Sequence, residues 1–444
     1  MKNIILYSCL FFIFQSGFSQ AEFSLKSALK YAVENNNDFK NSQLDLLIAD
    51  QKIRESVSTG LPKIQGTLGF QNYIDIPTTV LPANAFNPNA PADELIGLQF
   101  GTSINASGTI RLDQLIFSAT YISGLKAAKA YKNLMHIVVE KAKIELLTFT
   151  TNAYYSALIF NNSHQILKQS FEKLKDIQNE TNILVKEGMI ESINSDQINL
   201  LVVQVKGQLN EIEIMRKNAT STLKFIIGYP QDSSIKLTDN LDAFLLEDWS
   251  LTSLTGNALE FIDYKIQSET VKLNTLNVKM NKASSIPSLS GYFSHQQIAL
   301  RNEFDLLNTN QPWYPSTFWG IKVNVPIFDS KEQTARTNQS KLELEKAKNS
   351  LANIENEYKY QLNQAINEYN INLLAHKNNE ENLLLSQKIL TNTLIKFKEG
   401  LVSSMDLAQA QNQELLAQNQ YLQTNFKLLI SKLNLDKLQN KITQ

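Results

Sequence analysis

Residues 331–399 read KEQTARTNQSKLELEKAKNSLANIENEYKYQLNQAINEYNINLLAHKNNEENLLLSQKILTNTLIKFKE and contain neither glycine nor proline. A continuous helix of this length would reach about 100 Å at about 1.5 Å per residue, far more than a compact globular domain needs. Apolar residues recur in it every eleven positions, at Leu351, Leu362, Leu373, Leu384 and Ile395. Because an eleven-residue repeat stays on one face of a nearly straight helix, the stretch predicts one very long helix with a single apolar stripe.

The upstream half contains a second stretch of the same kind. From residue 126 to 187 the chain again lacks glycine and proline, and apolar residues recur every eleven positions at Val138, Phe149, Phe160 and Phe171. Short landmarks also repeat in order: LPKI at 61–64 matches IPSL at 286–289, and KEG at 186–188 matches KEG at 398–400. Two long helices with the same flanking landmarks indicate an internal duplication.

The repeated landmarks predict an organisation into two structural repeats. The first repeat spans 20–230, with a helix at 24–58, a strand at 62–74, a loop, a strand at 99–117, a long helix at 120–187 and a return helix at 191–228. A connector follows at 231–249. The second repeat spans 250–444, with a helix, a strand at 286–296, a loop, a strand at 317–328, a long helix at 331–399 and a return helix at 403–440.

The amino terminus has the pattern of a secretory signal peptide at 1–19. One lysine precedes an apolar run from Ile4 to Phe14, and small residues follow before Gln20. The run is too short to span a membrane, and no later stretch approaches the required length of about 20 apolar residues. Cys9, the single cysteine, lies inside the run, so we expect an exported mature chain without disulfides and without a lipid-anchored cysteine.

Composition and motifs disfavour several function classes. A net charge of -1, with 43% hydrophobic and 19% charged residues, is that of an ordinary folded chain and gives no basic patch for nucleic acid. The four histidines are scattered without a second ligand at metal spacing. No phosphate-binding glycine loop or catalytic triad pattern is present. We therefore expect no catalytic residues, no metal and no cofactor.

The predicted strands alternate apolar and polar residues, as in Lys63–Gln71. This pattern alone suits a soluble sandwich as well as a membrane sheet. Arg111, Asp113 and Lys322 fall on the polar positions, where charged side chains would face the wet lumen of a barrel. The alternative is that these three lie at the strand ends, beyond the bilayer.

The strand count makes a single chain incomplete. Strands that span lipid must close into a barrel, because an open edge leaves backbone groups without partners. Four predicted strands cannot close, since membrane barrels begin at about eight strands. We therefore expect eight strands from a dimer or twelve from a trimer, with the long helices packed in a ring of helices from several chains.

The element order in both halves, the proline-marked strand starts and the turn at 397–400 followed by Ser404 and Asp406 resemble the TolC family of outer-membrane efflux proteins. The resemblance covers essentially the whole mature chain. It implies a mainly α fold with a membrane β-barrel portion: a homotrimer whose twelve strands form one barrel in the outer-membrane lipid of a Gram-negative bacterium, continued by an α-helical tunnel through the periplasm. Such passive conduits serve tripartite efflux or type I secretion together with a periplasmic adaptor and an inner-membrane pump.

The resemblance also assigns roles at the helix tips. The adaptor would dock on the two turns, at Gly188, Met189, Ile190, Gly400, Leu401 and Val402. Asp406 would ring the closed periplasmic gate, where a second aspartate of the family is replaced by Gln409 and the first-half equivalent is Asn194. Ser403 and Asp406 also have the spacing of a capping box, so the carboxylate is expected to cap a helix, to gate, or to do both.

Two other function classes stay open from the residues alone. One is a secreted enzyme, which would need a catalytic constellation that the sequence does not offer. A trimeric coiled-coil surface adhesin or scaffold without a pore would also have a signal peptide and long helices. It would show sustained heptads and no duplicated strand pairs, and the eleven-residue spacing and the repeated strands disfavour it.

Overall fold

The computed structural model describes residues 21–86, 91, 93–245 and 257–442. The predicted signal peptide at 1–19 lies outside them. The described chain divides into two compact units. We call residues 21–45, 136–266 and 352–442 the helical unit, and residues 46–135 and 267–351 the sheet unit, and describe each by itself.

The helices of the described chain are α1 Leu25–Asn35, α2 Asn37–Ser58, α3 Ala119–Lys186, α4 Ser192–Ile227, α5 Leu241–Leu245, α6 Ile262–Ala283, α7 Glu332–Lys398 and α8 Ser404–Leu438. The strands are β1 Ala21–Phe23, β2 Lys63–Asn72, β3 Thr78–Pro82, β4 Leu95–Gln99, β5 Ile104–Phe117, β6 Ile235–Leu237, β7 Ser288–Arg301 and β8 Tyr314–Asn324. Most described residues are helical, which confirms the mainly α fold class.

The helices recur in matching lengths in the two halves. Helices α2 and α6 both have 22 residues, α3 and α7 have 68 and 67, and α4 and α8 have 36 and 35. Each half therefore holds the same three helices in the same order, in keeping with the repeated landmarks in the sequence.

The first predicted helix, at 24–58, is interrupted at Asn36. This residue is extended (φ -64°, ψ 125°) and ends α1. Its side chain accepts a hydrogen bond from the backbone N–H of Phe39 and donates one to the backbone carbonyl of Ile226, both at 2.8 Å. Because asparagine bonds the backbone of the next turn in this way, it stops one helix and caps another.

The sheet unit contains an antiparallel four-stranded sheet in the order β2-β5-β7-β8. Residues directly opposite each other on neighbouring strands share a face. One row across the sheet is Ile64, Leu112, Phe293 and Trp319, and the next row is Gln65, Arg111, Ser294 and Phe318. The alternation in the sequence thus becomes an apolar face and a polar face.

Strand bounds differ from the sequence prediction by more than two residues in four places. The first loop, between the predicted strands at 62–74 and 99–117, contains a second antiparallel hairpin of β3 and β4, so β5 begins at 104 rather than 99. Strand β7 continues to Arg301, beyond 296. Strand β8 begins at Tyr314, where proline at the next position is tolerated on an edge strand. It ends at Asn324 rather than 328, because its partner β7 begins opposite Asn324 and Pro326 has no N–H to donate.

In the helical unit, the apolar stripe of α7 is only partly covered. Tyr358, Leu362 and Tyr369 are buried, in one cluster with residues of α8. Farther along the same stripe, Leu384 and Ile395 are 64% and 52% exposed. A single chain therefore leaves the part of this stripe at Leu384 and Ile395 in contact with solvent.

Residues 231–249, predicted as a plain connector, contain β6 and α5. Strand β6 pairs in parallel with β1, at the start of the described chain. The Asp239 carboxylate accepts hydrogen bonds from the backbone N–H of Leu25 (2.7 Å) and from the Tyr154 hydroxyl (3.0 Å), which also donates to the Phe23 carbonyl (3.0 Å). Burial raises the pKa of Tyr154, so its hydroxyl remains a donor, and the connector ties the first strand to α3.

Gly228, which ends α4, gives a stability prediction. It has φ +75°, and a Cβ there would lie 2.8 Å from the Asn35 carbonyl oxygen. We expect Gly228→Ala to lower the free energy of unfolding by about 2–4 kcal/mol, from left-handed strain and from overpacking. Thermal unfolding followed by circular dichroism measures this. Gly207→Ala, in the interior of α4 with open space around it, is the matched control and should raise the melting temperature; equal melting temperatures for the two variants would contradict the packing argument.

Candidate pore face and hairpin tips

The polar face of the sheet carries the three charged residues singled out in the sequence. Arg111 and Asp113 lie within β5 and Lys322 within β8, and the strand register places all three on this face. The Arg111 guanidinium forms a bidentate ion pair with Asp113, with Nε–Oδ2 and Nη2–Oδ1 distances of 2.9 Å. Its Cζ atom also lies 5.1 Å from the ring centroid of Tyr292, a cation–π contact. The polar face therefore holds ordered charges within paired strands, in the half of the sheet that adjoins the helices.

The opposite face exposes large apolar side chains to an unusual degree. Ile64 is 70% exposed, Leu68 91% and Trp319 76%. The other members of this apolar face include Phe70, Ile110, Phe293, Ile321 and Val323, all exposed. A contiguous apolar surface of this kind marks contact with a membrane or a partner, because water solvates it poorly.

The two hairpin tips of the helical unit have the same backbone geometry. Gly188 after α3 and Gly400 after α7 have φ values of +67° and +70°. The next residue in each turn donates its N–H back across the helix end, from Met189 to the Leu184 carbonyl and from Leu401 to the Lys396 carbonyl, both at 2.9 Å. Glycine is the residue that adopts this left-handed position without strain, which explains the repeated KEG sequence.

Apolar side chains project from both tips. Met189 and Leu401 are 72% and 69% exposed, and Ile190 and Val402 are half-buried. The tips therefore offer two small apolar surfaces of matching composition within the helical unit.

Asp406 forms the capping box that its spacing predicts. The Ser403 backbone N–H donates to the Asp406 carboxylate at 2.9 Å, and the Asp406 backbone N–H donates to the Ser403 hydroxyl at 3.2 Å. Hydrogen bonds from the hydroxyl and then from the backbone of Ser403 hold the pKa of Asp406 below its usual value. The exposed carboxylate is therefore ionised at neutral pH. Gln409, also exposed, lies one turn farther along α8.

The two hairpins are joined beside this site by Ser404, whose contact with the first half was not predicted from the sequence. Ser404 is fully buried, and its hydroxyl lies 2.6 Å from Asn194 Oδ1 and 2.5 Å from Gln197 Oε1 of α4. A second link is the ion pair of Lys398 with Glu180, at 3.3 Å. Asn194 thus lies beside Ser404 at the start of α8, and Ser404 is two residues before Asp406. The only signal in the sequence was a serine at the first position of α8, which is common at helix starts and carries little information.

Glu414, on the buried side of α8, is a second residue that the sequence pattern did not predict. Its side chain accepts a hydrogen bond from Gln411 at 3.3 Å, and burial raises the pKa of its carboxyl group. Gln411, Glu414 and Gln418 form a buried polar stripe one turn apart on α8. Such residues cannot be told from a solvated face in the sequence, because both give polar residues at helical spacing.

The residues that the structure describes contain no membrane-spanning helix and no metal-binding cluster. None of the helices there has a stretch long and apolar enough to cross a membrane. No group of three or more His, Cys, Asp and Glu side chains in those residues is arranged to hold a metal ion.

A protein-family model described as outer membrane efflux protein matches residues 270–441. The match confirms the resemblance to this family. The matched range runs from within α6 to just past the end of α8, and Lys322, Gly400 and Asp406 lie inside it. Gly188 and Asn194 belong to the first half and lie outside the matched residues.

The chain is also similar to individual proteins, one by sequence and several by structure. Toxin and drug export protein A of Aggregatibacter actinomycetemcomitans is 22% identical over 186 residues, which cover 42% of this chain and 35% of that protein. The solved structure of CusC superposes with a TM-score of 0.74 at 12% identity, covering 93% of this chain and 91% of that one. The Campylobacter jejuni CmeC outer membrane channel gives 0.73 at 17% identity, covering 93% and 85%. At these identities the solved structures establish that the chain has the fold of such channels.

Proposed function

We propose that the protein is a passive outer-membrane conduit: a homotrimer whose twelve strands form one barrel, with the long helices forming a periplasmic tunnel. The observation that carries the proposal is the four-stranded sheet, which has an exposed apolar face, a polar face with ordered charges, and two edges, β2 and β8, without neighbours in the described chain. In lipid such edges must be paired, since each unpaired backbone group costs several kcal/mol.

The helical unit supports the same assembly. In one chain, Leu384 and Ile395 of the α7 stripe are 64% and 52% exposed, and Phe149 of α3 is 60% exposed. Burying these side chains against helices of neighbouring copies would stabilise the assembly by about 1.5–3 kcal/mol for each large apolar side chain. The same helices would then form the tunnel wall.

The partners and cargo follow from the family resemblance and stay at the level of class. The tips around Gly188 and Gly400 are proposed to dock a periplasmic adaptor, which joins the conduit to an inner-membrane pump. Toxin and drug export protein A suggests small molecules or proteins as cargo by its name. The conduit itself would catalyse no reaction and would bind no nucleic acid.

Fractionation, mass and conductance of the full chain test this proposal together. We expect the protein in the outer-membrane fraction, a detergent-extracted assembly with three copies, and discrete conductance steps in planar bilayers. A stable monomer with intact strand content would contradict the trimer. A protein that sediments with the membrane but never conducts would instead support a surface scaffold without a pore.

Asp406 is proposed to line the periplasmic gate as well as to cap α8. Three copies around one axis would place three ionised carboxylates together, which attracts cations. We expect Asp406→Asn to shift cation preference or divalent-cation block in single-channel recordings. If the variant loses thermal stability but keeps its ion selectivity, Asp406 only caps α8 and does not line the gate. Ser403→Ala removes the hydroxyl of the capping box without changing the charge, and it is the control for stability alone.

A further inference from the structure

The charges on the polar face are not spread evenly along the strands. Lys63, Arg111, Asp113 and Lys322 all lie in the half of the sheet that adjoins the helices: Lys63 begins β2, Lys322 is two residues before the end of β8, and Arg111 is just past the middle of β5. Lys63 lies directly opposite Asp113 in the register. We call these four residues the charged belt. Beyond it, toward the loops, the polar face carries only uncharged residues along the four paired strands.

The charged belt has a net positive charge. Three cations, Lys63, Arg111 and Lys322, face one anion, Asp113, which gives a net charge of +2 per chain. Arg111 is held by Asp113 in the bidentate pair, so these two largely cancel. Neither Lys63 nor Lys322 has an ion-pair partner among the described residues, and both side chains are exposed.

The opposite ends of the strands have the opposite charge. The described acidic residues there include Asp75, Asp93, Glu94, Glu303 and Asp305. The described basic residue at this end is Arg301, which is buried and pairs with Asp305 at 3.2 Å. The acidic loops and the charged belt are separated by about eight residues of strand, or roughly 27 Å at about 3.3–3.4 Å per residue. This distance exceeds the Debye length of about 10 Å at 0.1 M salt, so the loop acids do not neutralise the belt.

We propose that the charged belt is an anion-favouring filter in the helix-side half of the barrel lumen, which selects against cationic solutes. The proposal rests on the proposed trimeric conduit, in which three copies would bring six net positive charges round one water-filled cross-section. A ring of like charges raises the local concentration of counter-ions, and low-dielectric walls strengthen its field.

The test is the ratio of chloride to potassium permeability, measured from reversal potentials of the full-length trimer in a KCl gradient. Wild type carries +2 per chain, Lys63→Gln with Lys322→Gln carries 0, and Asp113→Asn carries +3. The ratio should fall about three- to tenfold in the double variant and rise in Asp113→Asn. Both shifts should shrink near 1 M salt, where the Debye length is about 3 Å.

Lys272→Gln removes a positive charge from an exposed residue of α6, outside the sheet, where Lys272 pairs with Glu269, and is the control for charge removal elsewhere. Its ratio should stay near that of wild type. An unchanged ratio across the charge series, or a change in the reverse order, overturns the filter and leaves the conduit standing. Absence of any wild-type conductance contradicts the conduit itself, and the filter with it. Each variant is recorded only from material with the mass of the wild-type assembly, so that misassembly is not read as lost selectivity.

Discussion

Replacement of Ile110 by arginine is expected to prevent insertion of the protein into the outer membrane. Ile110 lies midway along β5 on the apolar face and is 56% exposed. An arginine facing lipid near the middle of a barrel strand costs about 2–4 kcal/mol, and three copies raise this to about 6–12 kcal/mol per trimer. This is comparable with the whole stability of many proteins, so the variant should be lost from the outer-membrane fraction.

Thr109→Arg is the matched control for this prediction. Thr109 is the preceding residue of the same strand and points to the polar face, opposite Thr67. Its arginine would enter a wet lumen, so the variant should insert and assemble like the unmodified chain. Equal membrane levels of the two arginine variants, quantified by immunoblot of fractionated cells, would refute the assignment of the faces.

Charged residues at the hairpin tips are expected to abolish export while leaving assembled trimers in the membrane. Ile190→Asp and Val402→Asp place carboxylates on half-buried positions of the two tip surfaces. An apolar docking surface loses affinity when a charge must be desolvated on binding. Export of a fluorescent efflux substrate from cells that contain the cognate adaptor and pump should fall to the level of cells without the conduit.

Conservative apolar changes separate docking from folding of the tips. Ile190→Leu and Val402→Ile keep the apolar surface and should retain export. Both aspartate variants must still give the mass of the trimer and conduct ions as isolated protein. Normal export by the aspartate variants would mean that the adaptor binds elsewhere.

The long helices were the part of the fold that the sequence predicted best. Their bounds fall within one or two residues of the expected ones, because glycine marks the ends of both and no breaker interrupts them. The two strand faces were also predictable, since a period of two fixes which residues share a face.

The remaining features depend on contacts that a linear pattern does not carry. The break at Asn36 arises because its side chain bonds both Phe39 and Ile226, which lies 190 positions away. The hairpin of β3 and β4 occupies a stretch rich in proline and asparagine, whose composition favours a loop. The junction at Ser404 requires two helices from different repeats to meet, and its residues have no distinctive spacing. Among the candidate site residues, the sequence placed Arg111, Asp113 and Lys322 on one face and left open whether they lie in the lumen or at the strand ends. Their depth in the sheet depends on the register of strands that are far apart in the chain.

Accessibility of single cysteines in the conducting protein tests the central claim most directly. The sequence has one cysteine, Cys9, within the predicted signal peptide. The reagent's effect on each single-cysteine variant can therefore be compared with its effect on the unmodified protein. Thr67 and Leu68 are neighbours on β2 that point to the polar and apolar faces, respectively. A membrane-impermeant methanethiosulfonate reagent should reduce the planar-bilayer conductance of Thr67→Cys trimers and leave that of Leu68→Cys trimers unchanged. Equal responses at the two positions, or a response only at Leu68→Cys, would contradict a conduit lined by the polar face.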